Sequence, residues 1–146
     1  MEAQLTVTGW VGTDVELRPA ADDLTAWATF RLASTPRFHR NGEWQDGNTT
    51  WLTVKTFRSL AENVAISLRR GTPVIVVGRL RTDVWDDPKT GERQERQVLE
   101  ATTVGHDLSL GSSRFKRNDR EPEETPAAVA VASEEEATET RELAMA

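Results

Sequence analysis

Thr50-Trp51-Leu52-Thr53-Val54-Lys55-Thr56-Phe57 is rich in β-branched and aromatic residues and alternates with a period of two, so it reads as a strand. Leu52, Val54 and Thr56 point to one side. Trp51, Thr53, Lys55 and Phe57 point to the other. If the aliphatic side meets the core, a Trp, a Lys and a Phe are left in line on an outer sheet face. Flat rings beside a cation suit an unpaired nucleic acid strand, in which every base offers a π-face and every nucleotide a phosphate. One strand alone does not settle the matter. The rings could equally form the core, with Leu52 and Val54 beneath a loop or a subunit contact.

Two neighbouring segments shift the balance. In Ala26–Leu32 the set Ala26, Ala28, Phe30 and Leu32 reads as core, leaving Trp27, Thr29 and Arg31 outside. In Val74–Trp85 one parity holds Val74, Val76, Leu80 and Val84, and the other holds Arg79, Arg81 and Trp85. Three strands thus place an aromatic ring and a base at matching parity. A basic, ring-studded sheet face is the expectation.

The chain has 146 residues, enough for one domain and a tail. Its formal net charge of −6 is unevenly spread: residues 1–117 carry 16 Lys/Arg against 15 Asp/Glu, and residues 118–146 carry 2 against 9. The acidic balance therefore describes the tail and does not argue against an anionic ligand for the rest. The tail lacks aromatic residues and is rich in Glu, Ala, Pro and Thr. Such a composition cannot bury enough apolar surface to offset its ordering entropy, so disorder is expected there.

No cysteine is present, which excludes disulfides, and two separated histidines make no metal or catalytic cluster. No cofactor is expected. No apolar run approaches the roughly 20 residues of a membrane helix, and no charged-then-apolar leader is seen; a cytoplasmic, nucleoid-associated protein is expected. A P-loop, a nucleophile elbow and a cysteine nucleophile are all missing. The carboxylate pairs Asp22-Asp23 and Asp86-Asp87 read as solvated turns. The chain does not read as an enzyme.

The element order reads strand (4–17, interrupted at Gly9 and Gly12), strand (24–34), long loop (36–48), strand (50–57), helix, strand (74–85), hairpin (86–91), strand (95–108). Asn41-Gly42 and Asp46-Gly47 are strong turn formers. Ser59-Leu60-Ala61-Glu62 has capping-box spacing. Leu60, Val64 and Leu68 supply an apolar stripe, and Arg69, Arg70 and Gly71 read as a C-terminal cap. An all-β fold follows: a five-stranded OB-fold barrel with one short helix between the third and fourth strands, over residues 1–111, with a disordered acidic tail over 112–146.

Gly9-Trp10-Val11-Gly12, Glu16-Leu17-Arg18, Phe30-Arg31-Leu32-Ala33, Trp51, Phe57, Leu60-Ala61-Glu62, Arg70-Gly71 and Val77-Gly78-Arg79-Leu80-Arg81-Thr82 together resemble the bacterial single-stranded DNA-binding protein family, over roughly residues 4–111. The resemblance implies stacking of bases on Phe38, Trp51, Phe57 and Trp85, the first being a Phe where a Trp is more usual. Trp10, Trp27 and Trp44 are additional stacking candidates; packing or a subunit contact suits Trp10 and Trp27 equally, and a loop-internal cluster suits Trp44. Arg31, Arg37, Arg40, Lys55, Arg79 and Arg81 are the candidate phosphate ligands. Arg69 and Arg70 suit a helix cap and DNA contact alike.

The resemblance also implies a homotetramer, a dimer of dimers, serving replication, repair, recombination or DNA uptake. Three departures stand out. Trp10 replaces a common Asn, and Asp83 and Val84 occupy positions that are often basic. The ending Glu142-Leu143-Ala144-Met145-Ala146 lacks the acidic-Pro-Phe tip through which relatives recruit enzymes, so no tail-mediated recruitment is expected. That pattern is similar to a secondary, actinobacterial-like paralogue. The alternative reading is an OB-fold docking protein of a primosome-like complex that binds DNA weakly.

Overall fold

The computed structural model describes residues 1–119, and within them the expected alternation becomes a curved sheet with one wet and one dry side. The strands of the chain described are β1 (Gln4–Val11), β2 (Glu16–Arg18), β3 (Trp27–Ser34), β4 (Arg37–Arg40), β5 (Glu43–Asp46), β6 (Thr50–Phe57), β7 (Pro73–Asp86) and β8 (Arg93–His106), with helix α1 (Arg58–Ser67) between β6 and β7. The main sheet runs β1-β7-β8-β6-β3-β2, and a further β1–β3 pairing at Trp10↔Ala33 and Val11↔Leu32 closes it into a barrel. The contact between β6 and β8 is parallel; the other pairings are antiparallel. This is the OB-fold order expected from the sequence.

Closure depends on a close approach of β1 to β3 at Gly9. A Cβ on Gly9 would collide with the Ala33 carbonyl oxygen and lie 3.0 Å from its carbon. Only glycine allows the two backbones to approach so closely, and β1 can then pair with β7 along one edge and β3 along the other. The first strand consequently ends at Val11. The chain turns where the Gly12 N–H donates to Arg31 O at 2.8 Å, and pairing resumes as β2.

The dry side holds Val11, Phe30, Leu32, Val54, Val64, Leu68, Val74, Val76, Leu99 and Ala101. Phe30 is core, as its parity implies. Val84 shares that parity yet is exposed, because β7 continues past the barrel as an arm of the β7–β8 hairpin.

Several local expectations are corrected. The loop 36–48 contains the antiparallel pair β4–β5, a sheet of its own, turned by Asn41 (φ 53°) and Gly42 (φ 81°). Asp46-Gly47 makes no tight turn; the Gly47 N–H donates to Pro36 O at 2.7 Å and closes the base of that hairpin. β3 begins at Trp27 rather than Leu24, because Asp22 (φ 47°) and Asp23 form a turn bridged by Ala21 and Leu24.

The capping box does not form. Phe57 occupies the N-cap position without a side-chain hydrogen bond, and Arg58 (φ 58°) swings the chain from strand into helix while its N–H donates to Ala26 O at 2.7 Å. Ser59 therefore lies inside the first turn. At the other end the helix stops at Ser67, with Leu68 already extended. Arg69 and Arg70 lie beyond the last turn, and Gly71 (φ 88°) serves a following turn whose N–H donates to Val11 O at 2.7 Å.

β8 ends at His106. Beyond it, hydrogen bonds from the Ser109 hydroxyl and amide hold the Asp107 carboxyl below the usual carboxylate range. Met1–Ser113 form one unit. Residues 112–119 belong to no helix or strand, and the rest of the expected tail, residues 120–146, lies outside the described residues.

Candidate nucleic-acid interface

Residues directly opposite each other on neighbouring strands share a face. Between β3 and β6 the opposed pairs are Trp27↔Phe57, Thr29↔Lys55, Arg31↔Thr53 and Ala33↔Trp51. Across β8 the row continues through Thr53↔Val98 and Lys55↔Glu100, then Arg79↔Glu100, Arg81↔Val98, Asp83↔Arg96 and Trp85↔Gln94 on β7. One outer face therefore collects Trp27, Arg31, Trp51, Lys55, Phe57, Arg79, Arg81 and Trp85. Trp51 is 50 % exposed, Trp85 43 % and Phe57 37 %, whereas Val54 and Thr56 on the opposite side are fully covered. The rings are on the wet side.

Each ring has a cation beside it. The Arg31 guanidinium lies 5.8 Å from the Trp51 ring centroid, and its Nη1 donates to Thr53 Oγ1 at 2.8 Å. Lys55 Nζ stands 5.3 Å from Trp27 and 5.6 Å from Phe57. Arg96 lies 5.5 Å from Trp85. Such pairs orient the rings and put positive charge where a phosphate would follow a stacked base.

Beneath Trp51 lies Gly12. A Cβ there would collide with Trp51 Cζ3 and sit 3.0 Å from Cη2, so the indole rests on bare backbone. Arg96 was not singled out from the sequence, and Gly12 was read only as a break in the first strand and as part of the family pattern, not as the seat of Trp51. For Arg96 the signal was available: the Asp86–Gly91 turn sets the register that places it diagonally across from Trp85. For Gly12 there was none, since its contact joins strands far apart in the chain.

The remaining candidates divide. On β4–β5, Phe38 and Arg40 share one side with Gln45 and Glu43, and Phe38 is 43 % exposed. On the other side Arg37 pairs with Asp46 at 3.1 Å, and His39 meets Trp44 edge to face at 5.4 Å. Trp44 thus makes a contact within the hairpin while remaining exposed. The hairpin springs from the end of the sheet where Ala33 faces Trp51 and Ser34 faces Thr50. Trp10, 48 % exposed, flanks Ala33 from the β1 side and also opposes Pro73.

Carboxylates accompany the central cations. Lys55 Nζ is 3.6 Å from Asp83 Oδ2. Glu2 and Glu100 each reach both Arg79 and Arg81, at 2.8–3.8 Å. Arg31 and Arg40 have no carboxylate partner among the described residues. Nor do the described residues hold three His, Cys, Asp or Glu side chains placed to bind a metal ion, or a helix long and apolar enough to cross a membrane.

Comparison with known proteins gives a consistent result. Residues 3–107 match the model of the single-strand binding protein family. The chain is 42 % identical over 108 residues to single-stranded DNA-binding protein 2 of Streptomyces avermitilis, covering 71 % of this chain and 67 % of that one. It is 40 % identical over 121 residues to the single-stranded DNA-binding protein of Paenarthrobacter aurescens, covering 82 % and 70 %. Among solved structures, a small single-stranded DNA-binding protein from Streptomyces coelicolor superposes with a TM-score of 0.65 at 35 % identity, covering 76 % of this chain and 99 % of that one.

Proposed function

The chain belongs to the single-strand binding protein family, and we propose from this premise that it binds single-stranded DNA without sequence preference on the outer β3–β6–β8–β7 face. The observation that carries the reading is the alignment of Trp27, Phe57, Trp51 and Trp85 on that face, each beside a cation. Bases stack on the rings, contributing the ~1–3 kcal/mol per base usual for such binders. Arg31 and Lys55, with Arg37 and Arg40 on the β4–β5 hairpin, follow the backbone. Duplex DNA is discriminated against because its bases are already stacked on one another. The matched relatives are named as binding proteins, and the chemistry here is likewise non-covalent.

The binding unit of this proposal is residues 1–111, with Phe38 and the hairpin reaching toward DNA leaving the Trp51 end. Assembly as a homotetramer has support from the outer surface of β1 and β7, where Thr6, Thr8 and Trp10 stand opposite Val77, Ile75 and Pro73. That patch is uncharged and partly apolar, suited to a second copy. Shielding of exposed strands in the cytoplasm during replication, repair, recombination or uptake is the role that follows.

Titration of the protein with poly(dT), followed by tryptophan fluorescence, tests the reading. Strong quenching by poly(dT) and little by duplex DNA is expected. Unchanged fluorescence at saturating poly(dT) would leave a docking module instead.

A further inference from the structure

The outer face contains its own counterions. Arg79 and Arg81 sit in a four-membered cluster with Glu2 and Glu100, in which each carboxylate touches both guanidinium groups. The carboxylates hold the terminal nitrogens of Arg79, whose Nε is buried without a hydrogen-bond partner. Asp83 similarly occupies Lys55. Val98 stands on this face between Thr53 and Arg81 yet is only 2 % exposed, which fits long charged side chains lying flat across it. The clasp thus joins β7, β8 and the chain preceding β1 over the middle of the interface, while Arg31 at the Trp51 end keeps no carboxylate partner among the described residues.

We propose that Glu2, Glu100 and Asp83 are affinity-setting residues that mask Arg79, Arg81 and Lys55 from phosphate and make DNA binding less dependent on salt than the number of cations on the face implies. The proposal rests on the single-strand-binding reading. Surface ion pairs of this kind are weak, so a phosphate can displace them. The displaced carboxylate then takes up a cation from solution, which cancels the counterion that the phosphate released. If the carboxylate is not displaced, the phosphate keeps its counterion. Both routes flatten the salt response.

The test measures oligo(dT) affinity against salt for the full chain, Asp83→Asn, Glu2→Gln, the pair Glu2→Gln/Glu100→Gln, and Glu62→Gln on the exposed side of α1 as a control. Each unmasked cation adds up to ~0.7 to the steepness of log K against log salt for a single strand. From 50 to 200 mM salt, Asp83→Asn should therefore lose up to about 2.6-fold more affinity than the unaltered chain, and the double variant up to about 7-fold more. The carboxylate variants should also bind more tightly at 50 mM, and Glu62→Gln should change neither quantity. Unchanged slopes in Asp83→Asn and Glu2→Gln would overturn the proposal; both positions lie off the core, so these variants carry the test even if Glu100→Gln perturbs the sheet. An unaltered chain that fails to bind oligo(dT) at all would instead sink the functional reading, and this inference with it.

Discussion

Gly12 and Arg31 between them hold the Trp51 ring, one by offering no side chain beneath it and the other by placing a guanidinium beside it. Gly12→Ala should push the indole off its seat without unfolding the barrel, because the colliding atoms belong to the far end of a side chain that can swing away. The expected result is unchanged far-ultraviolet circular dichroism with several-fold weaker oligo(dT) binding, since misplacing one ring forfeits part of the ~1–3 kcal/mol of a stacked base. Undiminished affinity would show that the seat is irrelevant to binding. At this scale the outward positions of Trp51, Phe57 and Trp85 were legible, because strand parity is local and three strands agreed. The salt bridges were not. Glu2 and Arg79 are distant in sequence, and only the β1–β7 pairing, with Gln4 opposite Arg79, brings them together.

Among the elements, strands were read well and helix ends badly, for a physical reason. Alternation repeats over eight residues in β3 and β6, whereas a capping box is a short motif that tertiary geometry can override. Here β6 leads into α1 through Arg58 at φ 58°, so the helix begins before Ser59 can cap it. A non-glycine residue in this left-handed conformation costs on the order of 1 kcal/mol. Arg58→Gly should therefore raise the thermal midpoint by a few degrees; a lowered midpoint would mean that the Arg58 side chain contributes more than its backbone costs. The hairpin β4–β5 calls for the opposite substitution. Gly42 at φ 81° tolerates no β-branched residue without strain, so Gly42→Val should disorder the hairpin and alter Trp44 emission. The barrel melting transition should hardly move, because β4–β5 pair only with each other.

For the whole molecule, the order of elements was legible because the turn signals lie where strands end, and the closing β1–β3 contact at Gly9 was foreshadowed only as a bend. Charge distribution acts at this scale too. Residues 118–146 carry 2 Lys/Arg against 9 Asp/Glu, and an acidic segment on the same chain is expected to compete with DNA for cations. Removing them should tighten oligo(dT) binding modestly, most at low salt where screening is least; equal affinity of both chains at low salt would exclude such competition. Which side of the sheet meets DNA is tested most directly by the variant Trp51→Ala/Trp85→Ala. Its equilibrium affinity for oligo(dT), measured beside its thermal unfolding, should fall by at least about tenfold while the melting transition stays close to that of the unaltered chain. A variant that unfolds yet binds normally when cooled, or one that is stable with undiminished affinity, would contradict the assignment of this face.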